Sequence, residues 1–347
     1  MKKTFFFLLA VFVFCTCRCP AQGNGYFTPF QAIVNRSDVV FCGIDPVYEI
    51  SNQELILEAT GVLLDSGKNC VLVLMLPLTK TAQLDSLLQG KDAKALKNYC
   101  RKYPELLAGY SLYEQLLRRN MKFRNKVHIS GIEIEKDPAA ILEAIKNILP
   151  AQNPAAMPAC LQPAASFTRT DAVTPAAVLT ELKHRSEKDS LLLRDYLGKK
   201  YPVFKTLLET DGGISPGADY TNQDILRKKT GYNSRQLETV YRYTVANHAT
   251  LVAFVDFSMI SKNQENALPN TDAVVQQFAS AHRNSSTITI LMCIDGLPFY
   301  TRQKNMINYR PHYWAYRAAY ILLRFEDPAR EEQVDYLILS EELQKKK

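Results

Sequence analysis

Histidine is scarce in this chain, five residues in 347, and no two of them stand four apart or in an H-E-x-x-H string. Zinc-peptidase chemistry therefore has no ligand pair to start from. Cys-x-x-Cys is missing, which removes the usual thiolate zinc site and thioredoxin-like redox motifs. Gly-x-Gly-x-x-Gly and P-loop strings are missing too, so nucleotide binding lacks a phosphate cradle. No Gly-x-Ser-x-Gly string is read as a nucleophile elbow, so serine-hydrolase chemistry is not expected. Beyond the first residues, no apolar run approaches the length of a membrane helix. Repeats and coiled-coil heptads are absent.

The opening residues read as a leader. Lys2 and Lys3 supply a positive start, Phe5–Cys15 is an almost unbroken apolar run, and turn-forming residues follow near Pro20–Ala21. A secretory signal peptide over residues 1–21, cut after Ala21, is the expectation. The alternative is an outer-membrane lipoprotein with Cys15, Cys17 or Cys19 as the acylated residue, although the residues before them are poor matches to a lipidation site. Localisation is then secreted or periplasmic. Losing Lys2, Lys3 and Arg18 lowers the formal charge from +7 to +4. Part of that remainder is the Lys345–Lys347 tail, so nucleic acid is not an expected partner. Cys42, Cys70, Cys100, Cys160 and Cys293 remain, an odd number, and Cys42, Cys70 and Cys293 lie inside apolar runs; they read as buried hydrophobes.

The organising stretch is Ser37–Ile50, SDVVFCGIDPVYEI. Its apolar run Val39–Cys42 ends at Gly43, which reads as a buried strand opening into a loop. A helix over Gln53–Leu64 and the run Cys70–Leu76, CVLVLML, complete a strand–helix–strand unit whose second strand is apolar on both faces. Further strands are expected at Lys126–Ile134, Thr250–Phe257, Ser286–Ile294 and Val334–Leu339. Helices are expected at Thr81–Leu88, Ala93–Lys102, Leu106–Met121, Pro138–Leu149, Asn233–His248 with Ser234 as N-cap, and Thr271–His282. The basic cluster ending the Leu106–Met121 helix reads as a solvated helix terminus. Alternation of strands and helices implies an α/β fold with a mostly parallel central sheet flanked by helices. Residues 22–347 are expected to form one such domain. Within it, 151–232 reads as a Pro/Ala-rich linker plus a helical insertion, either a lid or plain packing. Tyr309–Tyr320, holding the only tryptophan, reads as helical core packing, with ligand stacking the alternative.

Strand exits carry acids: Asp45 and Glu49 after the first strand, Glu133 and Glu135 after the third, Asp256 and Asp295 after later ones. Open α/β sheets place chemistry at carboxyl ends. Converging carboxylates there raise one another's pKa and supply acid/base pairs or a hard-cation site. The competing reading is that such acids cap helices or bind backbone N–H groups.

The order of these motifs resembles the erythromycin-esterase-like and ChaN/TIKI superfamily over most of Ser37–Leu149, and more loosely over Asn233–Leu339. Leu112–Glu135, LYEQLLRRNMKFRNKVHISGIEIE, is similar to the family's helix bearing Arg and Asn, followed by a strand ending Gly-Ile-Asp-x-Glu. VDYLIL resembles its closing strand. The resemblance implies hydrolytic or haem- and metal-handling relatives. Departures from it fall at the site: Gly43 is kept, but Ile44 stands for Glu and Val47 for His. Met75-Leu76-Pro77 replaces a strand ending in Glu before Pro. Glu133 replaces Asp, and Val255 and Ser258 occur where Gly-x-x-His is usual. Ile, Val and Met cannot take a proton from water. The expectation is a degenerate site binding a small molecule or peptide through Gly43, Ile44, Val47, Met75, Glu135 and Ser258. The alternative is a working ester or peptide hydrolase using Asp45, Glu49, Glu133 and Asp256, with a divalent ion. A haem- or metal-handling surface protein is third; no motif names a metal ligand or a cofactor.

Overall fold

The computed structural model describes residues 27–44, 49–150, 157–169, 174–214, 218–219, 222–256, 259, 273–294, 320–324 and 336–340. Helix α1 (Phe27–Arg36) precedes strand β1 (Val39–Ile44), α2 (Glu49–Asp65) and β2 (Asn69–Pro77). Next come α3 (Leu78–Gly90), α4 (Ala93–Cys100), α5 (Pro104–Ala108), α6 (Tyr110–Lys122) and β3 (Val127–Glu133). Then follow α7 (Pro138–Ile148), α8 (Gln162–Ser166), α9 (Pro175–Lys188), α10 (Ser190–Leu197), α11 (Tyr201–Leu208) and the long α12 (Gln223–Ala246). The order closes with β4 (Ala249–Asp256), α13 (Ala273–Ala281), β5 (Thr287–Ile294), β6 (Tyr320–Arg324) and β7 (Tyr336–Ser340).

The described strands make one sheet in the order β3-β2-β4-β1-β5-β7-β6. Every neighbouring pair is parallel except β6 and β7. The α/β class with a mostly parallel sheet is therefore as expected. Strands β1 and β2, consecutive in sequence, are not neighbours; β4 lies between them.

Strand β1 is fully buried on both faces because its side chains alternate. Val40 and Cys42 join Leu55, Ile56, Ala59 and Leu63 of α2 and Leu112 and Leu116 of α6. Val39 and Phe41 join Leu237 and Val240 of α12, and Val274, Val275 and Phe278 of α13. Phe41 meets Phe278 edge-on, with ring centroids 5.3 Å apart. A third apolar cluster gathers α8–α11 on Ile141, Leu142 and Ile145 of α7. Cys42, Cys70, Cys100 and Cys160 are free and buried, and burial pushes the Cys100 thiol up to about 11. Thiols so held are inert packing groups.

Several local readings change. Helix α12 starts at Gln223 and is capped by Asn222, whose side chain accepts the Asp224 N–H at 2.8 Å. Ser234 is thus a mid-helix residue and not an N-cap; the polar run before it hid the helix's first turns, which Ile225 anchors against Ile134, Ile214 and Tyr232. Gly109 divides the expected Leu106–Met121 helix into α5 and α6. Tyr320 opens strand β6, not a helix, while the rest of the aromatic stretch lies outside the described residues. Pro138 occupies the first turn of α7 as expected, behind an Asp137 cap.

Strand β3 is a sheet edge, and side chains cover it. Asn120 exchanges two 2.8 Å hydrogen bonds with the Val127 backbone, donating to its carbonyl and accepting from its N–H. Asp85 of α3 accepts the Ile129 N–H at 2.9 Å and faces His128 Nδ1 at 3.2 Å. An edge so occupied cannot recruit a foreign strand. At the other end of β3, Gly131 lies where β2 bulges between Leu74 and Pro77. A Cβ there would sit 2.1 Å from the Leu76 carbonyl oxygen.

Gly131→Ala is therefore expected to lose about 3 kcal/mol in urea unfolding, whereas Gly90→Ala, with nothing within 4 Å of the new Cβ, changes stability by no more than about 1 kcal/mol. Asp85 gives a second test. Its hydrogen bond, opposed by burial and helped by its charge, raises the His128 pKa above the ordinary 6.5. That contribution is complete below 6.5 and lost as pH rises through the raised value. Urea midpoints at about pH 6 and about pH 9 should show a larger fall in the native protein than in Asp85→Asn.

Candidate functional site

At the carboxyl end of the sheet, β1 and β4 run side by side in register, with Ile44 opposite Asp256 and Gly43 opposite Val255. Strand β1 continues into α2 on one face, and the next described helix after β4, α13, packs on the other. Open α/β sheets place binding crevices where the connections of adjacent strands part to opposite faces. The loop that follows β1, read from Ser37–Ile50 as the site, leaves the sheet at this point. Asp45, Val47 and Ser258 lie outside the described residues, as do the side chains of Ile44, Glu49 and Asp256.

Beside β4, the β2 exit and the β3 exit beyond it are fully described. Met75 follows Val71 and Val73 on one face of β2 and packs against the cluster under α12 and α13. Glu133 pairs with Lys229 of α12 at 3.1 Å, and its other oxygen accepts the Ile134 N–H at 3.2 Å. Asn233, one turn beyond Lys229, directs its amide nitrogen at the Ile132 carbonyl, 2.7 Å away. Together they fix α12 across the end of β3.

Glu135 is 4% exposed. It accepts hydrogen bonds from Thr79 Oγ1 at 2.5 Å and the Asp137 N–H at 2.9 Å, and Lys80 Nζ lies 3.8 Å away. Its own N–H donates to the Thr210 carbonyl at 2.7 Å. Lys80 also bonds Glu105, and its carbonyl accepts the Tyr99 hydroxyl at 3.0 Å. A buried carboxylate needs such partners, since ionisation without them would cost several kcal/mol. Glu135 is thus a structural anchor as well as an exit acid.

Of the acids read from the sequence, Glu133 and Glu135 come together with lysines. Strands β3 and β4 are separated by β2, so their backbones stand roughly 10 Å apart. A cation entering near Glu133 or Glu135 would first have to displace Lys229 or Lys80. The described donors therefore do not fit a resident metal, and no cluster of three His, Cys, Asp or Glu side chains suited to one occurs among the described residues. Among the described residues haem has no better fit at these exits. His128 and His248 lie at the starts of β3 and β4, and His282 just before β5, all at the opposite end of the sheet.

Thr79, Lys80 and Lys229 were not singled out in the sequence. Thr79 and Lys80 directly follow a strand exit, which is a usable signal; Lys229 lies in a polar run that offers none. One string needs a correction: Gly213-Ile214-Ser215-Pro216-Gly217 has the letters of a nucleophile elbow. It follows the turn after α11 instead of a strand, with Gly213 at φ +68°, and Ser215–Gly217 lie outside the described residues.

No family model matches the chain, and no curated protein matches it at a significant level. Solved structures do. A Bacillus cereus protein superposes with a TM-score of 0.60 at 12% identity, covering 93% of this chain and 92% of its own. A succinoglycan biosynthesis protein gives 0.54 at 13% identity, over 79% of this chain and 70% of the other. The chain shares their fold. An erythromycin esterase variant is also among the similar structures, at 12% identity over 90% of this chain and 78% of its own, with a TM-score of 0.45. The fold assignment rests on the first two.

Glu135→Gln is expected to cost about 2 kcal/mol, because a buried, doubly bonded anion is replaced beside Lys80. Glu133→Gln, nearer solvent, should cost about 1 kcal/mol or less. Chemical denaturation of both variants compares the two; equal losses would show that burial does not separate them.

Proposed function

We propose that this chain is a secreted, catalytically degenerate relative of the erythromycin-esterase-like and ChaN proteins that binds a small molecule or peptide in the crevice at the β1 and β4 exits. The observation that carries this reading is the state of the β3-exit acids. Both oxygens of Glu133 are committed, one to Lys229 and one to a backbone N–H. A general base needs a lone pair aimed at water and a pKa matched to the medium. Glu133 offers neither geometry nor freedom, and Met75 cannot substitute. In sequence, Ile44 and Val47 replace the proton-handling pair that the resemblance implies. An apolar floor of this kind favours burying ligand surface over activating water.

The test is a screen of the mature chain, Gln22–Lys347, against ester and peptide libraries beside a Glu133→Gln control. The native protein should turn over nothing faster than the control, while a crevice ligand found by thermal-shift screening should raise the melting temperature. Turnover by the native protein that drops about 10²-fold or more in Glu133→Gln would establish a hydrolase instead.

A further inference from the structure

A second cleft lies outside the crevice, walled by α3, α4 and α7. Its volume is about 830 Å³, within the range of small-molecule sites. The charged groups around it are already matched. Lys80 is held by Glu105 and Glu135; Arg169 is held by Glu143 at 2.6 Å and Asp137 at 3.0 Å. Tyr103 turns its hydroxyl onto Glu143 at 3.3 Å and presents a ring face to the Lys80 ammonium, 5.3 Å from the centroid. What remains uncommitted is of another kind. Gln83, Asn98 and Asn147, one carboxamide from each helix, line the cleft without a side-chain partner among the described residues. Between them Ala140, Ala144 and Leu87 supply apolar surface.

We propose that this cleft binds a neutral carbohydrate. A carboxamide offers two donors and one strong acceptor, the pairing that vicinal hydroxyls require. Sugar rings also carry C–H faces, which pack on apolar side chains and aromatic rings; Ala144, Leu87 and the rings of Tyr99 and Tyr103, centroids 5.5 Å apart, line the cleft. An anionic ligand is disfavoured, because the lysine and arginine beside the cleft are neutralised by four carboxylates, leaving Lys102 as the uncommitted cation among the described lining residues. The inference is independent of what occupies the β1 and β4 crevice.

The probes are cellohexaose, maltohexaose, laminarihexaose and chitohexaose, with an oligogalacturonate as the acidic control and unrelated peptides as the peptide control, titrated calorimetrically into the mature chain. At least one neutral saccharide should bind with a Kd below about 1 mM, and Asn98→Ala/Asn147→Ala should weaken it about tenfold or more. Both asparagines are exposed, and a melting curve checks that the double variant folds. Failure of every neutral saccharide, preference for the acidic or peptide probes, or unchanged affinity in the double variant would each overturn the proposal.

Discussion

The structure depends on β1 being buried on both faces between two parallel neighbours. Val39, Val40, Phe41 and Cys42 are all without solvent exposure, so neither face of the strand tolerates a polar side chain. That requirement draws α2 and α6 to one face, and α12 and α13 to the other. Register then follows, since a one-residue slip would exchange the two faces. Because β4 pairs with β1 in that register, Ile44 and Asp256 arrive at the sheet edge together. The meeting of these two strand exits is a consequence of how the core is filled.

The same logic applies to the stretch that carries the resemblance. Within Leu112–Glu135, Arg119 reaches across to the Leu57 carbonyl and to Thr60 Oγ1, 3.0 Å away. Its neighbour Asn120 closes the β3 edge. Gly131 makes room for the Leu76 carbonyl in the β2 bulge. All three act in holding helices and strands together, so they stay necessary whether or not water is activated nearby.

The parts of the fold that could be read from sequence are those fixed locally. Unbroken apolar runs located β1, β2, β4, β5 and β7 to within a residue or two, because a central strand needs apolar side chains on both faces. The order of strands was not legible, as the pairing of β1 with β4 joins residues more than two hundred apart. Strand β6 was missed because Tyr320–Arg324 follows an aromatic stretch that fits helix and strand alike. At the site, the exit position of Glu133 and Glu135 was visible, but their partners were not. Lys229 comes from a helix whose first turns carry almost no hydrophobic signature, and only the folded chain brings it to β3.

The most direct measurement is a crystal structure of the mature chain soaked in manganese, with anomalous scattering recorded. The account predicts Glu133 on Lys229, near the present 3.1 Å, with no manganese shared between Glu133 and Asp256. A manganese peak within about 2–2.6 Å of both carboxylates, with Lys229 swung away, would contradict it.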